Sequence, residues 1–139
     1  MPPSKEMIGR VLSTGSATVD GAHVAAFAAA LGDANPEYST LAPPTYPIAF
    51  MAQSMAGAAS SFDELGLNFM TLVHGEQEFE YQRPVMAGET LTLTARIADV
   101  SEKQARSGIL DILVLATEAT DAAGKPVFAS RQTLVSRRM

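Results

Sequence analysis

Apolar positions along this chain recur with two periods, one suited to helices and one to strands. After a short strand pattern over Val11 to Val19, Asp20 stands where a helix N-cap belongs. Val24, Phe27, Ala28 and Leu31 then follow at i, i+3, i+4 and i+7, giving one apolar helix face. Gly32 suits a left-handed C-terminal residue and Pro36 forbids continuation, so "LGDANPEYST" is the exit from this helix. A second helix is predicted from "APPTYP" to about Ser60, with Thr45 as cap and Pro47 in the first turn. Ile48, Ala49, Phe50, Met51, Ala52, Met55, Ala56, Ala58 and Ala59 surround it, which calls for burial on every side.

The period then changes to two. In "VHGEQEFEY", Val73, Gly75, Gln77, Phe79 and Tyr81 alternate with His74, Glu76, Glu78 and Glu80. Leu91, Leu93, Ala95 and Ile97 alternate with Thr90, Thr92, Thr94 and Arg96 in the next strand. "ILDILVLATEAT" is apolar on both faces from Ile112 to Ala116, as in a central strand, and "PVFASRQTLVSR" makes a fourth long strand. "MAGE", "SEKQARSG" and "DAAGKP" supply the turns between them. The order is strand, helix, loop, buried helix and a meander of four long antiparallel strands that wraps the helix. This α+β arrangement resembles the hotdog fold, which pairs two sheets edge to edge and so predicts a dimer.

Composition narrows the chemistry. One domain spans residues 1–139, a length that buries about two thirds of the unfolded surface. With 47% apolar and 18% charged residues the chain is globular rather than disordered. "MPPSKEMIGR" does not read as a secretory signal, and the longest apolar stretch, broken by Gln53 and Ser54, falls short of the ~20 residues of a membrane span. A cytoplasmic protein with no membrane partner is expected. A net charge of −5 speaks against nucleic acid as a partner, and Arg131, Arg137 and Arg138 read as a solvated chain end. With no cysteine there is no thiolate metal site, two histidines cannot by themselves assemble a zinc site of known type, and neither metal chemistry nor a cofactor is expected.

"FAAALGDANPEY", "APPTY" before the buried helix and "LVHGEQEFEYQRPVMAGETLTL" are together similar to MaoC-like dehydratases and (R)-specific enoyl-CoA hydratases. The nearest branch in that resemblance holds the N-terminal halves of double-hotdog hydratases and the substrate-binding subunits of (3R)-hydroxyacyl-ACP dehydratases. The likeness runs from about Ile8 to Arg137. In catalytic members the loop carries Asp, any residue, Asn, Pro, one more residue and His, and the Asp and His hold the water. Position by position, Asp33, Asn35 and Pro36 match, whereas Tyr38 stands where the His belongs.

A histidine with pKa near 6.5 is available as a base at neutral pH, while a phenol near 10 is almost wholly protonated. Tyr38 can therefore donate or orient but not remove a proton, and the resemblance gives it and Thr45, Tyr46 and Ala49 to the substrate. His74 is the one alternative base, although strict alternation sets it with the glutamates on the solvent face unless Gly75 forms a bulge. Asp33 fits a turn-stabilising role equally well, and His23, in the first turn of its helix, reads as a surface residue. Backbone N–H groups from Tyr46 to Ala49, unsatisfied at a helix start, could polarise a thioester carbonyl.

The resemblance thus implies an acyl-thioester hydratase or dehydratase subunit, acting on acyl-CoA or acyl-ACP as homodimer or as heterodimer with a catalytic hotdog subunit. Two other readings stay open. One is a self-sufficient homodimer using Asp33, Asn35 and His74, and the other is an acyl-thioester binding module without chemistry.

Overall fold

The computed structural model describes residues 1–54 and 62–138, with the backbone alone at residues 50 and 52–54. Strand β1 spans Val11–Thr18, helix α1 Gly21–Ala30 and helix α2 Pro47–Ser54. Strands β2 (Leu72–Tyr81), β3 (Thr90–Ala105), β4 (Gly108–Thr120) and β5 (Pro126–Arg137) follow. They form one antiparallel five-stranded sheet in the order β1-β3-β4-β5-β2, a hotdog architecture. The expected meander holds only for β3, β4 and β5. Strand β2 does not pair with β3. Residues 82–89 instead carry the chain across to β3, leaving β1 and β2 as the two edges.

Local chemistry explains the element ends. The Asp20 carboxylate accepts the Ala22 N–H at 2.9 Å, as an N-cap should, and Gly32 adopts φ 71° at the far end of α1. Strand β4 lies at the centre of the sheet, with Leu113, Leu115 and Ala119 buried and Ile112, Val114 and Ala116 half-buried. Leu91, Leu93, Ala95 and Ile97 all face the core, as their alternation predicts. Among the described residues the core forms two clusters. One gathers Val24, Tyr46, Met51, Val85, Leu91 and Phe128 beneath α1 and the start of α2; the other gathers Phe62, Leu65, Ile97, Leu113 and Leu134.

Within α2, Met51 is buried and Ile48 and Ala49 are half-buried. The predicted continuation through Met55, Ala56, Ala58 and Ala59 to Ser60 lies outside the described residues. Among the described residues two charge clusters close the sheet. Arg83 pairs with Glu89 at 2.7 Å and Asp121 at 3.5 Å, tying the crossing segment to the β4–β5 turn. Arg138 is not a solvated end: it bonds both oxygens of the buried Asp111 and, at 2.8 Å, Glu102. A buried carboxylate needs such a partner, and that requirement draws the C-terminal arginine onto β4.

Candidate active site around the Asp33 loop

The loop grows directly out of the C-terminus of α1. Once Gly32 has reversed the backbone, the Asp33 N–H returns to the Ala28 carbonyl at 3.1 Å, and Asn35 caps a short 3-10 turn over Pro36–Ser39. Both short side chains close turns on their own backbone: Asp33 Oδ1 accepts the Asn35 N–H and Asn35 Oδ1 accepts the Glu37 N–H, each at 3.1 Å. Asp33 Oδ2 then accepts the Tyr38 hydroxyl at 3.1 Å. The carboxylate beyond a helix C-terminus, mildly unfavourable against the dipole, is thus supplied with two donors. Beside it lies a cavity of about 540 Å³ whose wall includes Ala25, Ala28 and Ala29 of α1 together with Asp33, Asn35 and Tyr38.

Electrostatics keep the phenol neutral. Shielding from solvent, the hydrogen bond to Asp33 and the negative charges of Asp33 and Glu37 all push Tyr38 above the ordinary tyrosine value. The loop accordingly holds an acceptor, Asp33, and a donor, Tyr38, locked on each other. It holds no base.

The remaining site residues are dispersed. Tyr46 does not line an approach, because it is 1% exposed in the core; its hydroxyl lies 2.9 Å from Nδ1 of His23, and Phe27 meets its ring edge-on at 5.4 Å. His23 is therefore a half-buried partner of the core rather than a surface residue. Thr45 is exposed and Ala49 half-buried. The N–H groups at the start of α2 are not free either. Those of Tyr46, Ile48 and Ala49 donate to the carbonyls of Pro43, Thr45 and Tyr46 at 2.9, 3.2 and 2.9 Å. An oxyanion would have to compete with those turns.

His74 is placed by a bulge. The β2–β5 register shifts between His74 and Glu76, so Leu72 and His74 stand opposite Ser136 and Leu134, both buried, while Val73 turns outward and is 60% exposed. Residues opposite one another share a face, so His74 belongs to the inner face of β2 rather than to the glutamate face. It remains exposed because β2 is an edge. Among the described residues, the cavity beside Asp33 is lined only from positions 25–39, so the fold of one chain does not bring His74 to Asp33. Tyr81, given no role by the sequence reading, donates its hydroxyl to the Pro44 carbonyl and fixes the approach to α2. Its signal was present as the last inward position of the β2 alternation.

The sequence of the chain matches a known family, the FAS1-like, dehydratase domain region, over residues 6–130. The chain belongs to this family. Among its relatives, a UPF0336 protein of Streptomyces coelicolor is 36% identical over 123 residues, covering 80% of this chain and 79% of that one. The truncated HadBC (3R-hydroxyacyl-ACP dehydratase) complex from Mycobacterium tuberculosis superposes with a TM-score of 0.70 at 22% identity, over 88% of this chain and 90% of that one. A MaoC-like dehydratase superposes at 0.77 and 22% identity, over 96% of this chain and 43% of that one. At these identities the structural likeness establishes the fold, so the chemistry of this FAS1-like dehydratase-region chain rests on its own loop.

Proposed function

We propose that this chain is a pocket-shaping subunit of an acyl-thioester hydratase or dehydratase, working beside a catalytic hotdog partner. The supporting observation is the hydrogen bond from the Tyr38 hydroxyl to Asp33 Oδ2, 3.1 Å long. An ordinary phenol is ionised in about one molecule per thousand at neutral pH, and Tyr38 is pushed further from ionisation. The loop retains the acid, the amide and the proline of a water-holding site while its base position holds a committed donor. The HadBC (3R-hydroxyacyl-ACP dehydratase) complex, similar in fold, is consistent with a chain that works as part of a complex.

In the proposed reaction water adds across a trans-2-enoyl thioester carried on coenzyme A or acyl carrier protein. Hydroxide goes to the β-carbon and the proton to the α-carbon, giving the (R)-3-hydroxyacyl product, and the step is reversible. Water and thioester are the only reactants, so no cofactor is required. The purified chain given a short enoyl-CoA is expected to show no hydration above background, and to gain it when a subunit with an intact Asp and His is added. Robust turnover by the chain alone would refute the pocket-shaping reading.

The Gly75 bulge favours a second reading specifically. It turns His74 to the inner face at a free edge, where a paired subunit's loop could use it. Turnover by the chain alone that is abolished in both His74→Ala and Asp33→Asn would support that self-sufficient dimer.

A further inference from the structure

The free edge at β2 carries an unusual arrangement of charge. Glu76, Glu78 and Glu80 are all exposed and alternate along its outer face. Arg131 stands opposite Glu78 on β5 and offsets one charge, while Glu76 and Glu80 face Thr133 and Ala129. Among the described residues none of the three glutamates closes a salt bridge. Two of them, with Arg131 and Val114, border a shallow groove of about 450 Å³.

The same edge shows signs of a missing neighbour. Phe69, Met70 and Val73 at its start are 52%, 88% and 60% exposed. On the inner face Gln77 donates to Ser130 Oγ at 2.7 Å, yet its Oε1 is buried and, among the described residues, has no hydrogen-bond partner. A strand added at β2 would cover the apolar residues and could supply that donor.

Self-pairing meets an obstacle. In an antiparallel pair, opposed residues share a face, so any face-matched register centred between Glu76 and Glu80 sets glutamate against glutamate. A register centred nearer Leu72 escapes the acidic row only by overlapping about half of the strand. Like charges directly opposed destabilise a pair, and opposite charges stabilise it.

We propose that the acidic outer face of β2 selects a non-identical partner, a hotdog subunit with Lys or Arg along the outer face of its own edge strand. This rests on the pocket-shaping reading and specifies the partner's chemistry. The row of carboxylates discourages two copies of this chain from joining along β2 and leaves the edge open to a basic strand.

The test is a charge-swap mixing experiment with the Glu76→Lys, Glu78→Lys, Glu80→Lys variant, whose fold is first checked by circular dichroism. Sedimentation velocity compares wild type alone, variant alone and an equimolar mixture at low and high salt. The mixed pair is expected to associate about tenfold more tightly than either chain with itself, two or three opposed pairs each contributing. That preference should shrink as the screening length falls from about 10 Å at 0.1 M salt to about 3 Å at 1 M. Should the variant fail to fold, Glu78→Gln serves instead and is expected to strengthen self-association. Equal association in all three samples, a tight salt-independent wild-type dimer, or no association in any pairing would overturn the proposal. Only association is read, so a chain found active alone would remove the pocket-shaping reading and leave this result standing.

Discussion

Tyr46 offers the sharpest check on the division between core and site. The ring is 1% exposed, Phe27 and His23 meet it edge-on at 5.4 and 5.5 Å, and its hydroxyl reaches His23 Nδ1 at 2.9 Å. Tyr46→Phe keeps the ring contacts and removes the hydroxyl, leaving a half-buried imidazole nitrogen without that partner, which costs about 1–2 kcal/mol. Tyr46→Ala also deletes the ring and opens a cavity between α1 and α2, which costs about 3–5 kcal/mol. At a urea m-value of about 2 kcal/mol per M, the unfolding midpoint should fall by about 0.5–1 M for the first variant and about 1.5–2.5 M for the second. Equilibrium urea unfolding followed by circular dichroism measures both. A midpoint unmoved in Tyr46→Ala, together with weakened acyl-CoA binding, would refute the core assignment and return Tyr46 to the pocket wall. Equal losses in the two variants would show that the hydroxyl, not the ring, dominates.

Two further predictions concern pH. Burial alone would raise the Glu89 carboxyl, but the Arg83 guanidinium and the Met86 N–H outweigh it and hold the group below its ordinary value. Its contribution is therefore whole above the unfolded value of about 4.5 and is lost as pH falls through the lower folded value. Glu89→Gln should be less stable than wild type at neutral pH and converge with it at about pH 3, whereas a constant gap in urea midpoints would exclude the charge effect. At the alkaline end, desolvation pushes the Tyr81 phenol up to about 12. Its protonated form stabilises the fold fully below the unfolded value of 10 and ceases to do so as pH passes about 12, a contribution on the order of 1 kcal/mol after allowing for partial solvent screening. All three tyrosines are shifted upward, so an alkaline absorbance titration should show no native phenol with its midpoint at or below 10.

Features written in local periodicity were legible in the sequence. Asp20 caps α1, Gly32 ends it, and Leu91 to Ile97 face the core, because each depends on spacing within one element. The residue types of the loop announced its turns, since Asp33 and Asn35 each bond backbone two residues on. The pairings that depend on tertiary neighbours were not legible. Nothing near His23 in the chain signals Tyr46, and Asp111 lies 27 positions before the Arg138 that neutralises it. Strand order was likewise hidden, because alternation reports which face a residue takes and not which strand lies beside it. Gly75 stood between these cases: a glycine inside a strand hinted at a bulge, and only the register with β5 showed that one forms.

That bulge splits β2 into two reading frames. Downstream of it odd-numbered residues look toward the helix, and upstream even-numbered ones do. Deleting the glycine would take away the unpaired residue and leave His74 opposite Leu134 and Val73 outward, whereas keeping it while pairing the strand regularly would exchange the surroundings of His74 and Val73 and invert everything before them. The inward-looking imidazole therefore rests on the unpaired residue at position 75, and replacements there that favour regular pairing, more than its deletion, are the mutations by which descendants of this chain could forfeit it.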